Sequence, residues 1–208
     1  SGYTMAFPVP GKYAQMQSNR ASTLNIDWLL DVARGILETE GVTRSRGDLL
    51  KGIDEKILAA APARLLYHPY ISAAGERGPF MEPAARAMFT GLELGMGYAD
   101  LMRAVFEGLC FAARDCYAAM GDIPEEVRIT GGAARSGALR RMLASALKAR
   151  VRTVTREEAG AAGAAMMAAV QQKLYPSLEA CAAQWVDPLL GSVTPPDSDL
   201  VKAYDAAF

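Results

Sequence analysis

The sequence predicts an α/β fold, a mixed sheet flanked by helices, and three observations predict it. From Glu125 to Gln172, short apolar runs trade places with runs at helical spacing, the order of a layered sheet with helices packed on it. Alanine is in excess after residue 59 and costs little to place in a helix. A chain of 208 residues, 51% of them apolar, is long enough to bury one sizeable core.

Gly2 to Phe7 alternates, Pro8-Val9-Pro10-Gly11 turns the chain, and Lys12 to Gln17 alternates again, so the sequence opens with a hairpin into which Ser1-Gly2 leads. Leu24, Trp28, Leu29, Val32, Ile36 and Leu37 recur at helical spacing, with Thr23 or Asn25 as a cap and Gly41 as a stop. Thr43 to Gly47 is polar and turn-like. Asp48 to Ala60 returns to helical spacing through Leu49, Leu50, Ile53, Ile57 and Leu58, and Leu65-Leu66-Tyr67 is a short strand running into Pro69. Between Ser72 and Glu82, the punctuation of Gly75, Gly78 and Pro79 leaves no regular element, and loops this long in a compact domain signal function or disorder.

The strongest helix runs from Tyr98 to Met120, where Leu101, Val105, Leu109, Ala112 and Tyr117 hold the 3.6-residue period. Glu125 to Thr130 is a strand, Gly131-Gly132 a turn, Ser136 to Ala149 a helix and Val151 to Val154 a strand. Thr155 and Glu158 have capping-box spacing, which opens an alanine-rich helix to about Gln172 and accounts for the acidic pair Glu157-Glu158. A helix from Ser177 to Val186, a proline-rich stretch and a last helix from Ser198 complete the chain. No internal repeat and no linker divides it.

Charge and composition exclude several functions. Lys and Arg number 22 against 23 Asp and Glu, for a formal net charge of −1, so the basic stripe that nucleic-acid binding requires is missing. No uninterrupted apolar run approaches the roughly 18–20 residues of a membrane span. The three cysteines, Cys110, Cys116 and Cys181, lack metal-ligand spacing, and one histidine is too few for a Cys/His zinc site. Free thiols in a reducing cytoplasm fit this pattern.

The unit Val127 to Ser136 carries the most functional information. Two glycines after a strand let a ligand approach the backbone, and amides pointing out of the turn, with the positive end of the next helix, suit a phosphate or another anion. The unit is neither a P-loop nor G-x-G-x-x-G, so a plain tight turn is the competing reading. Gly75-Glu76-Arg77-Gly78-Pro79 reads as a solvated turn or as a loop lining a cleft. Gly160, Gly163 and their alanine neighbours form a small-residue face suited to close packing. His68 reads as structural, and Arg135, Arg140 and Arg141 as a solvated helix face or phosphate partners. No G-x-S-x-G elbow, no poised carboxylate base and no Ser/His/Asp set can be assembled.

Ala87-Met88-Phe89-Thr90-Gly91-Leu92, then seven residues, then Asp100-Leu101-Met102-Arg103-Ala104-Val105-Phe106-Glu107 resembles the C-terminal signature of the FGGY carbohydrate kinases, with every constrained position filled. Leu66-Tyr67-His68-Pro69-Tyr70 with the Gly75–Pro79 loop resembles the segment before that signature. Thr130 to Ser136 resembles the family's nucleotide loop, and Glu158 with Gly163-Ala164-Ala165 its closing helix. The resemblance implies an actin-like ATPase fold of two RNase H-like domains with ATP in the cleft between them, the sugar and the carboxylate base belonging to the first. Residues 1–208 are similar to the second alone, a single nucleotide-binding domain with both ends trimmed and no catalytic base.

The resemblance also implies roles. Gly131, Gly132 and Ala133 match the loop that approaches the α-phosphate and ribose, although Ala133 stands where many relatives have a third glycine. Ser136 falls where some members contact adenine. Thr23 and Asp27 help form the nucleotide cleft but depart from the Gly and Gln of glycerol kinases, and Tyr3 falls where an aromatic residue borders the substrate pocket. The implied partners are ATP with Mg²⁺ on the other domain, a sugar or polyol such as erythritol or xylulose, the N-terminal domain, and a second copy of the chain on the uncovered cleft face. The Ser72-Ala73-Ala74 spacer resembles the erythritol kinase branch. Alone, this chain is expected to bind ADP weakly and to phosphorylate nothing. Two other readings stand beside this one: a Rossmann-like dinucleotide domain, which would want an acid at the end of the strand Val151 to Thr155, and a non-catalytic module that keeps the nucleotide loop.

Overall fold

The structure is a computed structural model that describes residues 2–156 and 158–208. Ser1 and Glu157, expected to lead into the hairpin and to join a helix cap, lie outside the described residues. The hairpin forms as the sequence predicts: β1 (Tyr3–Ala6) pairs antiparallel with β2 (Tyr13–Met16), Tyr3 opposite Met16. Helix α1 (Leu24–Thr39) follows with Thr23 at its N-cap position, where the threonine side chain makes no capping bond. Asn25 instead turns its amide back to the carbonyls of Ala21 and Ser22, at 3.2 and 2.9 Å.

The expected helix from Asp48 to Ala60 is two helices, α2 (Arg46–Leu50) and α3 (Ile53–Ala59). The break falls at Gly52, whose left-handed backbone (φ 68°) no helix continues through. Strand β3 (Leu66–His68) pairs antiparallel with β4 (Met88–Thr90), an element the sequence pattern did not announce. Helix α4 spans Tyr98–Met120, the predicted bounds. After it come β5 (Glu126–Ile129), a 3₁₀ turn (Gly132–Arg135), α5 (Gly137–Leu147) and β6 (Arg150–Val154). Then follow α6 (Ala159–Gln171), α7 (Leu178–Trp185), a short 3₁₀ turn, β7 (Leu190–Thr194) and α8 (Ser198–Ala207).

Strands β5, β6 and β7 form a mixed sheet: β5 and β6 run parallel, joined through α5, and β7 returns antiparallel to β6. Strand β7 lies in the stretch read as proline-rich. Thr155 does not open a capping box. Its backbone N–H and its hydroxyl both donate to the Leu189 carbonyl, at 3.0 and 3.2 Å, which spends the side chain on the sheet margin, and α6 starts at Ala159 with no side-chain cap. The small-residue face of α6 is also unlike the expectation. Ala169 is the one buried residue along this helix, and a Cβ added at Gly160 or Gly163 would meet no atom within 4 Å.

Helix α4 organises the core. Met102, Val105, Phe106 and Cys110 cluster with Leu30 of α1, Ile57 of α3, Tyr67 of β3, Met142 and Ala146 of α5, and Tyr204 of α8. Strand β3 lies so close to α4 that a Cβ at Gly108 would stand 2.2 Å from the Tyr67 carbonyl oxygen, so this helix interior requires glycine. The Tyr67 hydroxyl donates to Asn25 at 2.9 Å, joining β3 to the start of α1, and burial pushes its pKa up to about 12, keeping it a donor. Among the described residues no helix is long and apolar enough to cross a membrane.

Candidate nucleotide site

The strand β5 delivers its last residue, Ile129, to the turn that the sequence marks as a ligand approach. Gly131 sits at φ 80°, ψ −165°, a conformation that L side chains rarely adopt, and it turns the chain directly into the 3₁₀ segment. The first hydrogen bond of that segment runs from the Ala134 amide to the Gly131 carbonyl at 3.1 Å. The amides of Gly132 and Ala133 therefore precede it, in the place where a helical segment leaves its first donors without intrahelical partners. A Cβ at Gly132 would meet no atom within 4 Å.

A cavity of about 600 Å³ opens beside this turn, and Thr23, Asp27, Gly132, Ala133 and Ser136 all line it. Arg135 lines it as well, so six of the residues singled out in the sequence come together from the start of α1, the 3₁₀ turn and the start of α5. Gly131 shapes the turn without lining the cavity. Tyr3 stands elsewhere, exposed on β1 beside a separate hollow of about 150 Å³ that it shares with Gln17, Ser18, Arg77 and Met81.

The other wall comes from residues that sequence reasoning did not single out: Leu50, Gly52, Ile53, Asp54 and Glu55, at the junction of α2 and α3. Asp54 accepts a hydrogen bond from the Ser136 hydroxyl at 2.7 Å and another from the Ala138 amide at 3.1 Å. Ser136 in turn caps α5, its oxygen accepting from the Leu139 amide at 3.0 Å. The available signal for Asp54 was an acidic pair at the start of a helix, which dipole compensation explains equally well. Asp27 approaches Arg46 at 3.6 Å, and Arg46 also pairs with Asp31, whose carboxyl it holds below the usual range by hydrogen bonding.

The Glu76 loop contradicts the solvated-turn reading. Glu76 is 2% exposed, and its Oε1 accepts from the amides of Arg20 and Arg77, at 2.9 and 2.7 Å. The buried carboxylate fastens the loop to the segment between β2 and α1. Arg140 and Arg141 are likewise occupied: Arg140 donates to the Ala134 carbonyl, and Arg141 pairs with Asp197 at the N-terminus of α8. A larger hollow of about 950 Å³, between α6 and α7, is lined by alanines, Leu174, Tyr175 and Trp185 with no charged side chain. Its polar groups are the uncharged Gln172, Tyr175, Gln184 and Trp185, of which the last three are hydrogen-bonded in a chain.

Residues 2–172 match the C-terminal domain of the FGGY family of carbohydrate kinases. The chain is 52% identical over 208 residues to the erythritol kinase of Brucella abortus (strain 2308), a match that covers 100% of this chain and 40% of that protein. It is 28% identical over 169 residues to the xylulose kinase of Bacillus subtilis (strain 168), covering 80% of this chain and 32% of the relative. The solved xylulose kinase of Rhodospirillum rubrum superimposes with a TM-score of 0.80 at 26% identity, over 99% of this chain and 40% of that one. The fold is accordingly the actin-like ATPase fold of these kinases, and the chain spans well under half the length of the relatives it matches.

Proposed function

Because the chain belongs to the FGGY family of carbohydrate kinases, we propose that it is the nucleotide-binding domain of an ATP-dependent sugar or polyol kinase. One observation carries the assignment to a site: the cavity beside the Gly131 turn gathers Thr23, Asp27, Gly132, Ala133 and Ser136 from three separate elements. The residues suit a nucleotide. The open space at Gly132 leaves backbone approach to a phosphate, the leading amides of the 3₁₀ turn supply donors, and Ile26, Ile53, Phe106 and Leu139 give the cavity apolar walls for a base.

In this reading the chain's own residues bind and orient. Gly132 and Ala133 donate amides to the phosphates, and the α1 and α3 walls hold the nucleoside. ATP supplies the phosphoryl group that is transferred. The family resemblance assigns Mg²⁺, the carboxylate base and the substrate to the partner domain. Closure of the two domains would exclude water from the transfer. A four-carbon polyol is the favoured substrate class, supported by the 52% identity to a protein named erythritol kinase. Tyr3, on the exposed hairpin, is assigned to the face that meets the substrate domain.

Calorimetric titration of the 208-residue chain with ADP tests the assignment. Weak binding is expected, and Gly132→Val is expected to abolish it without lowering the melting temperature, since its Cβ has open space in the unliganded protein. Undiminished ADP binding by Gly132→Val would remove the site. Sugar-dependent ATP turnover by this chain alone would overturn the placement of the catalytic base outside it.

A further inference from the structure

The wall that faces the Gly132 turn carries carboxylates, while Arg135 lines the cavity from the turn's own side. Asp54 and Glu55 stand in the first turn of α3, and Asp27 lines the same cavity from α1. The first turn of α5, eleven residues long, is a place where an anionic ligand would find both backbone donors and the positive end of the helix dipole. In this protein Asp54 already fills it. One carboxylate oxygen accepts from the Ser136 hydroxyl at 2.7 Å and the other from the Ala138 amide at 3.1 Å, while the Leu139 amide is satisfied by Ser136 at 3.0 Å. The same two bonds hold α3 against α5, and so fix the distance between the two sides of the cavity. The 3₁₀ turn is different: its leading amides, those of Gly132 and Ala133, precede the first intrahelical bond, and the space at Gly132 is open.

We propose that Asp54 is a positioning and specificity-determining residue, which reserves the α5 end of the cavity for the uncharged nucleoside and leaves the phosphate chain to the amides of Gly132 and Ala133. The proposal rests on the nucleotide reading above. Like charge turns a phosphate away from the α5 end, and the pairing with Ser136 and Ala138 keeps the α3 wall in place for the nucleoside. A carboxylate that merely stabilised the domain would affect every ligand alike. Asp54 instead treats the two halves of a nucleotide in opposite ways.

The experiment titrates the 208-residue chain with ADP, adenosine and inorganic pyrophosphate by calorimetry at low ionic strength, for the wild type, Asp54→Ala, Asp54→Ser and Glu55→Lys. For Asp54→Ala, adenosine affinity is expected to fall about tenfold while pyrophosphate affinity rises several-fold, and the Ala138 and Leu139 amides are expected to exchange faster in the absence of any ligand. Asp54→Ser keeps an acceptor oxygen near Ala138 without the charge, and serves if the alanine variant does not fold; pyrophosphate affinity alone is expected to rise. Glu55→Lys reverses an exposed charge on the same wall and is expected to tighten pyrophosphate several-fold with α5 exchange unchanged. Equal losses of adenosine and pyrophosphate, or an unchanged adenosine affinity in Asp54→Ala, overturn the proposal. A wild-type chain that binds no ADP overturns the nucleotide reading itself, and is distinguished because it fails before any substitution is made.

Discussion

Arg103 and Glu107, one turn apart on α4, form an ion pair at 2.7 Å with both side chains shut away from solvent. Each charge is also hydrogen-bonded to backbone. Arg103 donates to the carbonyls of Ile57 and Ala60 at 3.0 and 2.7 Å, closing the C-terminal end of α3, and Glu107 accepts from the Ala63 amide and the Tyr204 hydroxyl, both at 3.0 Å. The pair therefore ties α3, α4, α8 and the segment leading to β3 into one unit. Both residues belong to the signature by which the sequence resembles its family, and their position explains the signature physically: Arg103 fixes the helix whose opposite end carries Asp54.

Removing one partner should be costly, because the other would remain buried and unpaired. Glu107→Ala is expected to lower unfolding free energy by about 3–5 kcal/mol, read from urea denaturation. Burial raises the Glu107 carboxyl above its ordinary range, and the Arg103 charge opposes that rise without cancelling it. A loss below about 1 kcal/mol would place the pair among weak surface bridges in its effect.

Gly108 is where β3 crosses α4. In an exposed helix, alanine in place of glycine stabilises by about 0.5–1 kcal/mol. Here the added methyl would stand 2.2 Å from a backbone oxygen, and β3 must move. Gly108→Ala is expected to destabilise by about 1–3 kcal/mol, in the sense opposite to helix propensity. Thermal unfolding decides the sign.

The Arg141 guanidinium beside Asp197 holds that carboxyl below its usual 3.8, helped by the amides of Leu200 and Asp199. A carboxyl depressed in the folded state contributes stability above its unfolded pKa and loses it as pH falls through the folded value. Arg141→Met should therefore lower the melting temperature at pH 7, with the difference from wild type shrinking as pH falls from about 4 towards about 2. A difference that stays constant over that interval would mean that Arg141 acts through packing.

Cys110 and Cys181 are 1% and 0% exposed, and burial pushes the Cys110 thiol well above its ordinary pKa. Neither is expected to react with a thiol reagent at pH 8 on the timescale of minutes until the protein unfolds, since the thiolate is the reactive form. Rapid labelling of Cys110 in the native state would mean that α4 opens locally.

Helices with long, regular periods were legible residue by residue. The α4 bounds follow from Leu101, Val105, Leu109 and Ala112, because a 3.6-residue period is written within one segment. Short strands were less so: β4 has three residues and forms against β3, some twenty positions away, while β7 follows a 3₁₀ turn in a proline-rich stretch. A pattern of three residues carries little period to read.

The candidate site divides in the same way. The sequence alone identified the strand, glycine turn and helix around Gly131 to Ser136, the family signature through Glu107, and the near-neutral net charge. The family resemblance named Thr23 and Asp27 for the cleft; only the tertiary structure buried Glu76 against the amides of Arg20 and Arg77 and brought Asp54 across 82 positions to Ser136. The reason is physical: local segments choose their own backbone from side-chain period and caps, whereas a hydrogen bond between distant residues depends on where the packed core, here α4 with its buried Arg103 and Glu107, sets the elements down.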